Sequence, residues 1–224
     1  NVPLPLESGY RTALVNVGAM KNRGIELTLN SVNIDTKDFT WQTSLNYSFN
    51  KNEIDKLYND LERVGNYFVG QSINVIYTKR FGGIWQSDEA EIAKIYNAEP
   101  GDYKIIDRNR NNIIDDDDRD FVGQTTPQFF GSFSNTFKSH GFDLTIFLTY
   151  AGGHKIYNPF AYLDSYSPSA NMSPDYYHNY WTPERPSNKY PRLGSTNSQL
   201  YETDGMYQKG DYIRLKNLEL GYTL

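Results

Sequence analysis

Residues 107 to 118 read Asp-Arg-Asn-Arg-Asn-Asn-Ile-Ile-Asp-Asp-Asp-Asp, with oxygen-bearing side chains at loop positions 1, 3, 5, 9 and 12. That spacing suits a twelve-residue calcium loop, because the ion collects roughly six to eight oxygens from one tight turn. Asp107, Asn109, Asn111, Asp115 and Asp118 would ligate through side chains and Ile113 through its carbonyl, with Ile114 as the apolar anchor at position 8. Position 6 is Asn112 where Gly is usual, and position 12 is Asp118 where Glu reaches further. Asn tolerates the left-handed turn that the sixth residue needs. Five Asp against Arg108 and Arg110 leave the loop three charges negative. The expectation is a structural Ca²⁺ that braces a loop; the competing reading is a solvated acidic turn.

Other chemistry is thin. His140, His154 and His178 lack ligand spacing and the chain has no cysteine, so zinc, disulfides and thiol catalysis are not expected. No nucleophile elbow, phosphate loop or dinucleotide fingerprint occurs. Asp175 and Glu184 are a weak carboxylate pair, and no enzyme is expected. Tyr176, Tyr177, Tyr180, Trp181 and Tyr190 could offer flat faces to a substrate or partner. Packing of their loop upon itself is the competing reading.

The 224 residues carry a net charge of −5 with no basic cluster, so nucleic acid is not an expected partner. Aromatics are abundant, with 19 Tyr, 12 Phe and 3 Trp, although mean hydropathy is only −0.68. Aromatics with alternating polar residues point to β structure.

The elements that must position these residues are strands. From Phe39 to Asn50, Phe39, Trp41, Thr43, Leu45, Tyr47 and Phe49 alternate with Thr40, Gln42, Ser44, Asn46, Ser48 and Asn50. Similar alternation covers Ile25–Asn30, Gln128–Lys138, Phe142–Tyr150 and Leu218–Leu224. Runs of about ten residues suit a tilted strand that crosses a bilayer. Short links, Asn33–Lys37 and Ser139–Gly141, alternate with long excursions of about 51–127 and 152–207. Outer-membrane barrels have short periplasmic turns and long external loops, so both excursions, the acidic loop included, are expected outside the cell. The first is expected to hold a helix over Asp88–Tyr96 capped by Ser87.

Four stretches together resemble the SusC/RagA-type TonB-dependent outer-membrane transporters of Bacteroidetes. They are Asn16-Val-Gly-Ala-Met-Lys-Asn-Arg-Gly-Ile-Glu-Leu27, Pro100-Gly-Asp-Tyr-Lys104 before the acidic loop, Tyr180-Trp-Thr-Pro-Glu-Arg-Pro186, and Gly210-Asp-Tyr-Ile-Arg-Leu-Lys-Asn-Leu-Glu-Leu-Gly-Tyr222. The resemblance implies an all-β fold: residues 1–224 would be part of a C-terminal antiparallel transmembrane barrel, with the N-terminal plug domain and the final strands absent. It implies residence in the outer membrane and import of an oligomeric nutrient, oligosaccharide or peptide. It further implies a SusD-like lipoprotein as partner, contact with membrane lipid, and energy from the TonB complex through the missing N-terminal part. The alternative from the residues alone is a secreted, calcium-stabilised β-sandwich that binds glycans.

Overall fold

The computed structural model describes residues 2–3, 12–13, 18–159, 172–195, 200 and 202–223. Asn16 and Val17 of the first motif, Pro168 in the second excursion and Leu224 lie outside them. The chain divides into two compact units, one of residues 1–75, 127–152 and 212–224, the other of 76–126 and 153–211.

In chain order, the first unit holds a short antiparallel pair, β1 (Val2–Pro3) and β2 (Thr12–Ala13), then β3 (Gly18–Asp35), β4 (Phe39–Leu57), β5 (Arg63–Val64) and β6 (Tyr67–Phe68). The second unit follows with β7 (Val75–Lys79), β8 (Phe81–Ile84), α1 (Ala90–Ile95), β9 (Tyr103–Ile105) and β10 (Arg119–Gln124). The chain returns to the first for β11 (Phe129–Ser139) and β12 (Phe142–Gly152). It leaves again for β13 (Lys155–Tyr157), α2 (Pro174–Asn179) and β14 (Tyr207–Lys209), and returns in β15 (Tyr212–Tyr222).

The first unit is an antiparallel sheet of order β15-β12-β11-β4-β3. Short turns close one edge. His140 and Gly141 both take positive φ, 50° and 84°, the conformation that matches a two-residue hairpin turn to strand twist. At residues 36–38 the Thr36 hydroxyl donates to the Phe39 carbonyl and accepts from the Phe39 amide, at 2.9 and 3.0 Å. At the other edge Phe129 pairs with Gly152 and Ala151 with Tyr212. Both segments of the second unit are inserted in the chain between strands of this sheet.

Register fixes the two faces, because directly paired residues share a side. Leu29, Leu45, Phe133, Leu148 and Leu215 form one continuous row across all five strands. Above and below it lie Leu27, Tyr47, Ile146 and Leu218. The opposite face carries Thr28, Asn46, Ser132, Thr149 and Arg214 in register. Side chains there bond across strands: Thr28 donates to Asn46 at 2.9 Å, Asn46 to Ser132 at 3.1 Å and Ser44 to Asn30 at 2.8 Å.

The strands outrun their sequence signals. β4, expected to stop at Asn50, continues to Leu57 against a β3 that begins at Gly18. Charged residues obscure this extension, yet they pair with one another, Lys21 with Asp55 and Lys51 with Glu53. β15 begins at Tyr212, well before the expected Leu218, and the alternation that would reveal this start is broken where the register shifts opposite Phe147 and Leu148. Lys216 is skipped, so Ile213 and Leu215 share a face with Leu218 and Leu220 although a period of two places them apart.

The second unit has its own core rather than being a bare loop. Ile84, Tyr103, Trp181, Leu200 and Met206 are buried together with Phe81 and Tyr207 packed on them, and Trp85, Ala93 and Ala98 form a second cluster against Tyr96. The expected helix is shorter than 88–96. A 3₁₀ turn at Ser87–Glu89 precedes α1, and Gln86 rather than Ser87 forms the capping box, its amide donating to Glu89 at 3.0 Å.

Candidate functional site

The acidic stretch is a closed loop held by its own side-chain oxygens. Asp107 Oδ1 accepts the amide of Arg110 at 2.6 Å and Oδ2 accepts that of Asn112 at 2.7 Å. Asn109 accepts from the Asn111 amide at 3.0 Å, Asn111 from Ile113 at 2.8 Å and Asp115 from Asp117 at 2.9 Å. Asp118 is buried, with Oδ1 on the Arg108 amide at 2.7 Å and Oδ2 on that of Asp115 at 3.0 Å. Position 12 is thereby joined to the backbone beside position 1. Asn112 turns at φ 66°, while Ile113 is exposed and Ile114 half-buried.

Tyr96 anchors this loop to α1, its hydroxyl donating to Asp107 Oδ2 at 3.0 Å. Burial raises the Asp107 pKa, but the amides of Asn112, Arg110 and Asn111 and the Tyr96 hydroxyl outweigh it and hold the carboxyl below its usual range. Tyr96 in turn is raised, by burial first and then by Asp107. Its ring stacks on Trp85 at 5.8 Å, and Lys104 lies 4.4 Å over the Trp85 ring.

Among the described residues, no group of three or more His, Cys, Asp or Glu side chains is arranged to hold a metal ion. The oxygens of residues 107, 109, 111, 115 and 118 are instead turned to backbone amides. An amide uses one lone pair of an oxygen and leaves a second at Asn109 and Asn111, whereas each Asp107 oxygen already accepts two bonds. The side-chain oxygens are of the hard type that Ca²⁺ takes, and Asp107 would have to exchange bonds to reach an ion.

The five aromatics divide. Tyr176, Trp181 and Tyr190 are buried within the second unit, whereas Tyr180 is half-buried and Tyr177 is 58% exposed. Long loops need apolar interiors, and these three residues supply one. Tyr176 meets Tyr190 edge-on at 5.3 Å. Tyr190 and Lys189 both donate to Asp175 Oδ2 at 2.6 Å, and those two bonds hold the Asp175 pKa low.

Two motifs that the sequence separates by some eighty residues pack on one another. Gly101, at φ 91°, has the Trp181 ring and the Arg192 side chain where a Cβ would stand. Its amide donates to the Trp85 carbonyl at 2.7 Å and its carbonyl accepts from Arg192 at 2.7 Å. Asp102 Oδ1 then takes the Arg192 guanidinium at 3.0 Å and the Ser195 hydroxyl at 2.7 Å. The Trp181 indole donates to Gln86 at 3.0 Å. Sequence reasoning missed this hub. Its one local signal was the Pro-Gly-Asp turn, which says nothing about its distant partner.

No helix of the described residues is long and apolar enough to cross a membrane, a statement that leaves strands aside. The geometry defines an antiparallel sheet protein with one apolar face, one polar face and a folded unit built into its long connections.

No family model matches the chain. It is 31% identical over 238 residues to TonB-dependent receptor P3 of Formosa agariphila, and 26% identical over 235 residues to TonB-dependent receptor SusC of Bacteroides thetaiotaomicron. These alignments take in 99% and 100% of this chain but 23% and 22% of the relatives. Its fold matches the RagAB peptide transporter with a TM-score of 0.73 at 24% identity, over 99% of this chain and 25% of that one. The resemblance carried by the four motifs thus holds throughout: the chain is similar along its whole length to TonB-dependent receptors of the SusC/RagA type. It spans about a quarter of the length of the relatives it matches.

Proposed function

We propose that this chain is part of the barrel wall of an outer-membrane TonB-dependent transporter. The whole protein would import an oligomeric nutrient, glycan or peptide, with a SusD-like lipoprotein at its outer loops. It would act as a transporter rather than an enzyme. The observation that carries this reading is the two-faced sheet. Leucines and aromatics run in register across five strands with Leu218 and Leu220 exposed, and the reverse face is lined by Asn, Ser and Thr. A barrel needs apolar residues outward to lipid and polar residues inward. In the competing sandwich reading, that apolar face would lie under a second sheet.

We further propose that residues 107–118 bind Ca²⁺. Asp107, Asn109, Asn111, Asp115 and Asp118 would supply side-chain oxygens and Ile113 its carbonyl. The ion would offset the three net negative charges and draw the oxygens inward, so binding and loop ordering would be coupled.

These 224 residues hold no cysteine, so within them only an introduced thiol can react, and the unsubstituted parent gives the background. In the full-length parent, Ile113→Cys and Tyr177→Cys should both react with an impermeant maleimide in whole cells. The parent should also migrate differently on a gel before and after heating in detergent. Labelling that appears only after the outer membrane is breached would overturn the topology, and no heat shift would overturn the barrel.

A further inference from the structure

One step beyond the apolar band, two cations face each other. Arg23 pairs directly with Lys51 across β3 and β4, next in register to the Ile25–Phe49 pair and on the same face. Like charges opposite one another on neighbouring strands repel, and both residues are exposed. Lys51 has Glu53 at 3.0 Å, and Lys21 is paired with Asp55. The Arg23 guanidinium has no direct hydrogen bond or ion pair among the described residues, although its charge acts on both Glu53 and Asp55. Lys21, Arg23 and Lys51 against Glu53 and Asp55 leave one net positive charge, shared among the three cations.

The aromatics beside the pair are those expected where hydrocarbon gives way to headgroups. Tyr47 and Phe129 stack at 6.5 Å, and Phe49 lies next to Lys51 in the outward row. A guanidinium offers a planar pair of donors that fits a phosphate better than a point charge does. We propose that Arg23 and Lys51 hold the phosphate of an anionic lipid headgroup, with its acyl chains along Ile25, Leu27 and Leu29. This rests on the reading that the apolar face meets the membrane. The repulsion between the two cations then becomes the means by which the site selects an anion at that depth.

The full-length parent, purified in detergent, would be incubated with phosphatidic acid, with phosphatidylcholine of the same chains, and with inorganic phosphate, and retained ligand read by native mass spectrometry. Phosphatidic acid should be retained over phosphatidylcholine. Arg23→Gln and Lys51→Gln should each lower retention about fivefold, and Glu53→Gln should raise it. These are exposed charges, so the heat-shifted band should be intact in every variant. Equal retention of phosphatidic acid by the double variant and the native protein would overturn the site. Displacement by inorganic phosphate at comparable concentration would show an anion site without a lipid partner, and would also overturn it. The membrane reading fails separately: it falls if Leu45→Arg folds as well as the native protein, whatever the lipid result.

Discussion

Tyr150 lies across Gly131 and donates its hydroxyl, at 2.9 Å, to the backbone carbonyl of Asn46 two strands away. A side chain at 131 would close this path. Its Cβ would stand 2.1 Å from the Asn46 carbonyl oxygen and 2.5 Å from the Tyr150 hydroxyl. Gly131→Ala is expected to destabilise the parent by about 1–3 kcal/mol through overpacking. Tyr150→Phe should cost about 1 kcal/mol, for the lost bond alone. Urea titration of the parent in detergent or lipid measures both, and equal costs would contradict the crossing.

The two faces of β4 should differ in their tolerance of charge. Leu45→Arg is expected to cost about 2–4 kcal/mol near the membrane middle and Ser44→Arg far less. Folding yield in vesicles is the measurement. A similar loss from both would remove the lipid assignment.

Calcium should bind the acidic loop weakly, with Kd of order 10⁻⁴ to 10⁻³ M as in extracellular modules. Asp107→Ala should abolish binding, since that carboxylate also gathers three amides of the loop. Asn112→Gly should tighten it by easing the turn at φ 66°. Calorimetry on the refolded parent gives the answer. No heat, with the same protease sensitivity near Arg110 in calcium and in chelator, would leave a solvated turn.

Acid should loosen the same loop. The Asp107 pKa is depressed in the fold, so its contribution is complete above the ordinary carboxylate value and is lost as pH falls through the lower, folded value. Asp175 behaves likewise, because Lys189 and Tyr190 hold it ionised. Amide exchange at Arg110 and Asn112 should therefore stay slow from neutral pH down to the usual carboxylate range and show extra opening only below it. Opening that begins near neutrality would exclude Asp107 as the cause.

Gly101→Ala should separate the two long segments of the second unit. A Cβ there would meet the Trp181 ring at 2.5 Å, at a backbone φ of 91° that side chains rarely adopt. Trp181 is buried, so its displacement should shift tryptophan emission to the red. Unchanged emission and protease resistance would mean that the contact bears no strain.

Much of the sheet was legible because its chemistry alternates with period two, as from Phe39 to Phe49. Lys216 shows where that reading fails: one unpaired residue inverts the parity of the strand, and only the partner β12 reveals it. The acidic loop announced its turn at Asn112, but not the Tyr96 anchor or the outward set of its oxygens toward amides. Tyr177 and Tyr190 are the same residue type in similar company, and nothing local says that one is exposed while the other sits on Asp175. Long-range packing decides burial, and a single sequence carries it only in aggregate.

The apolar face has one polar interruption. Ser31, Thr43 and Asn135 are aligned across three strands. Asn33 donates to Thr43 at 2.6 Å, and Thr43 and the Trp41 indole both donate to Asn135 at 2.8 Å. A slip of one residue between strands would turn leucines to the wrong side, so hydrophobicity forbids it. A slip of two keeps every leucine outward and is invisible to that force. If this face meets lipid as proposed, such a slip would leave these amides and hydroxyls in hydrocarbon without partners, at a cost of several kcal/mol each. On the membrane reading, the row would favour one alignment where the greasy pattern alone would accept several.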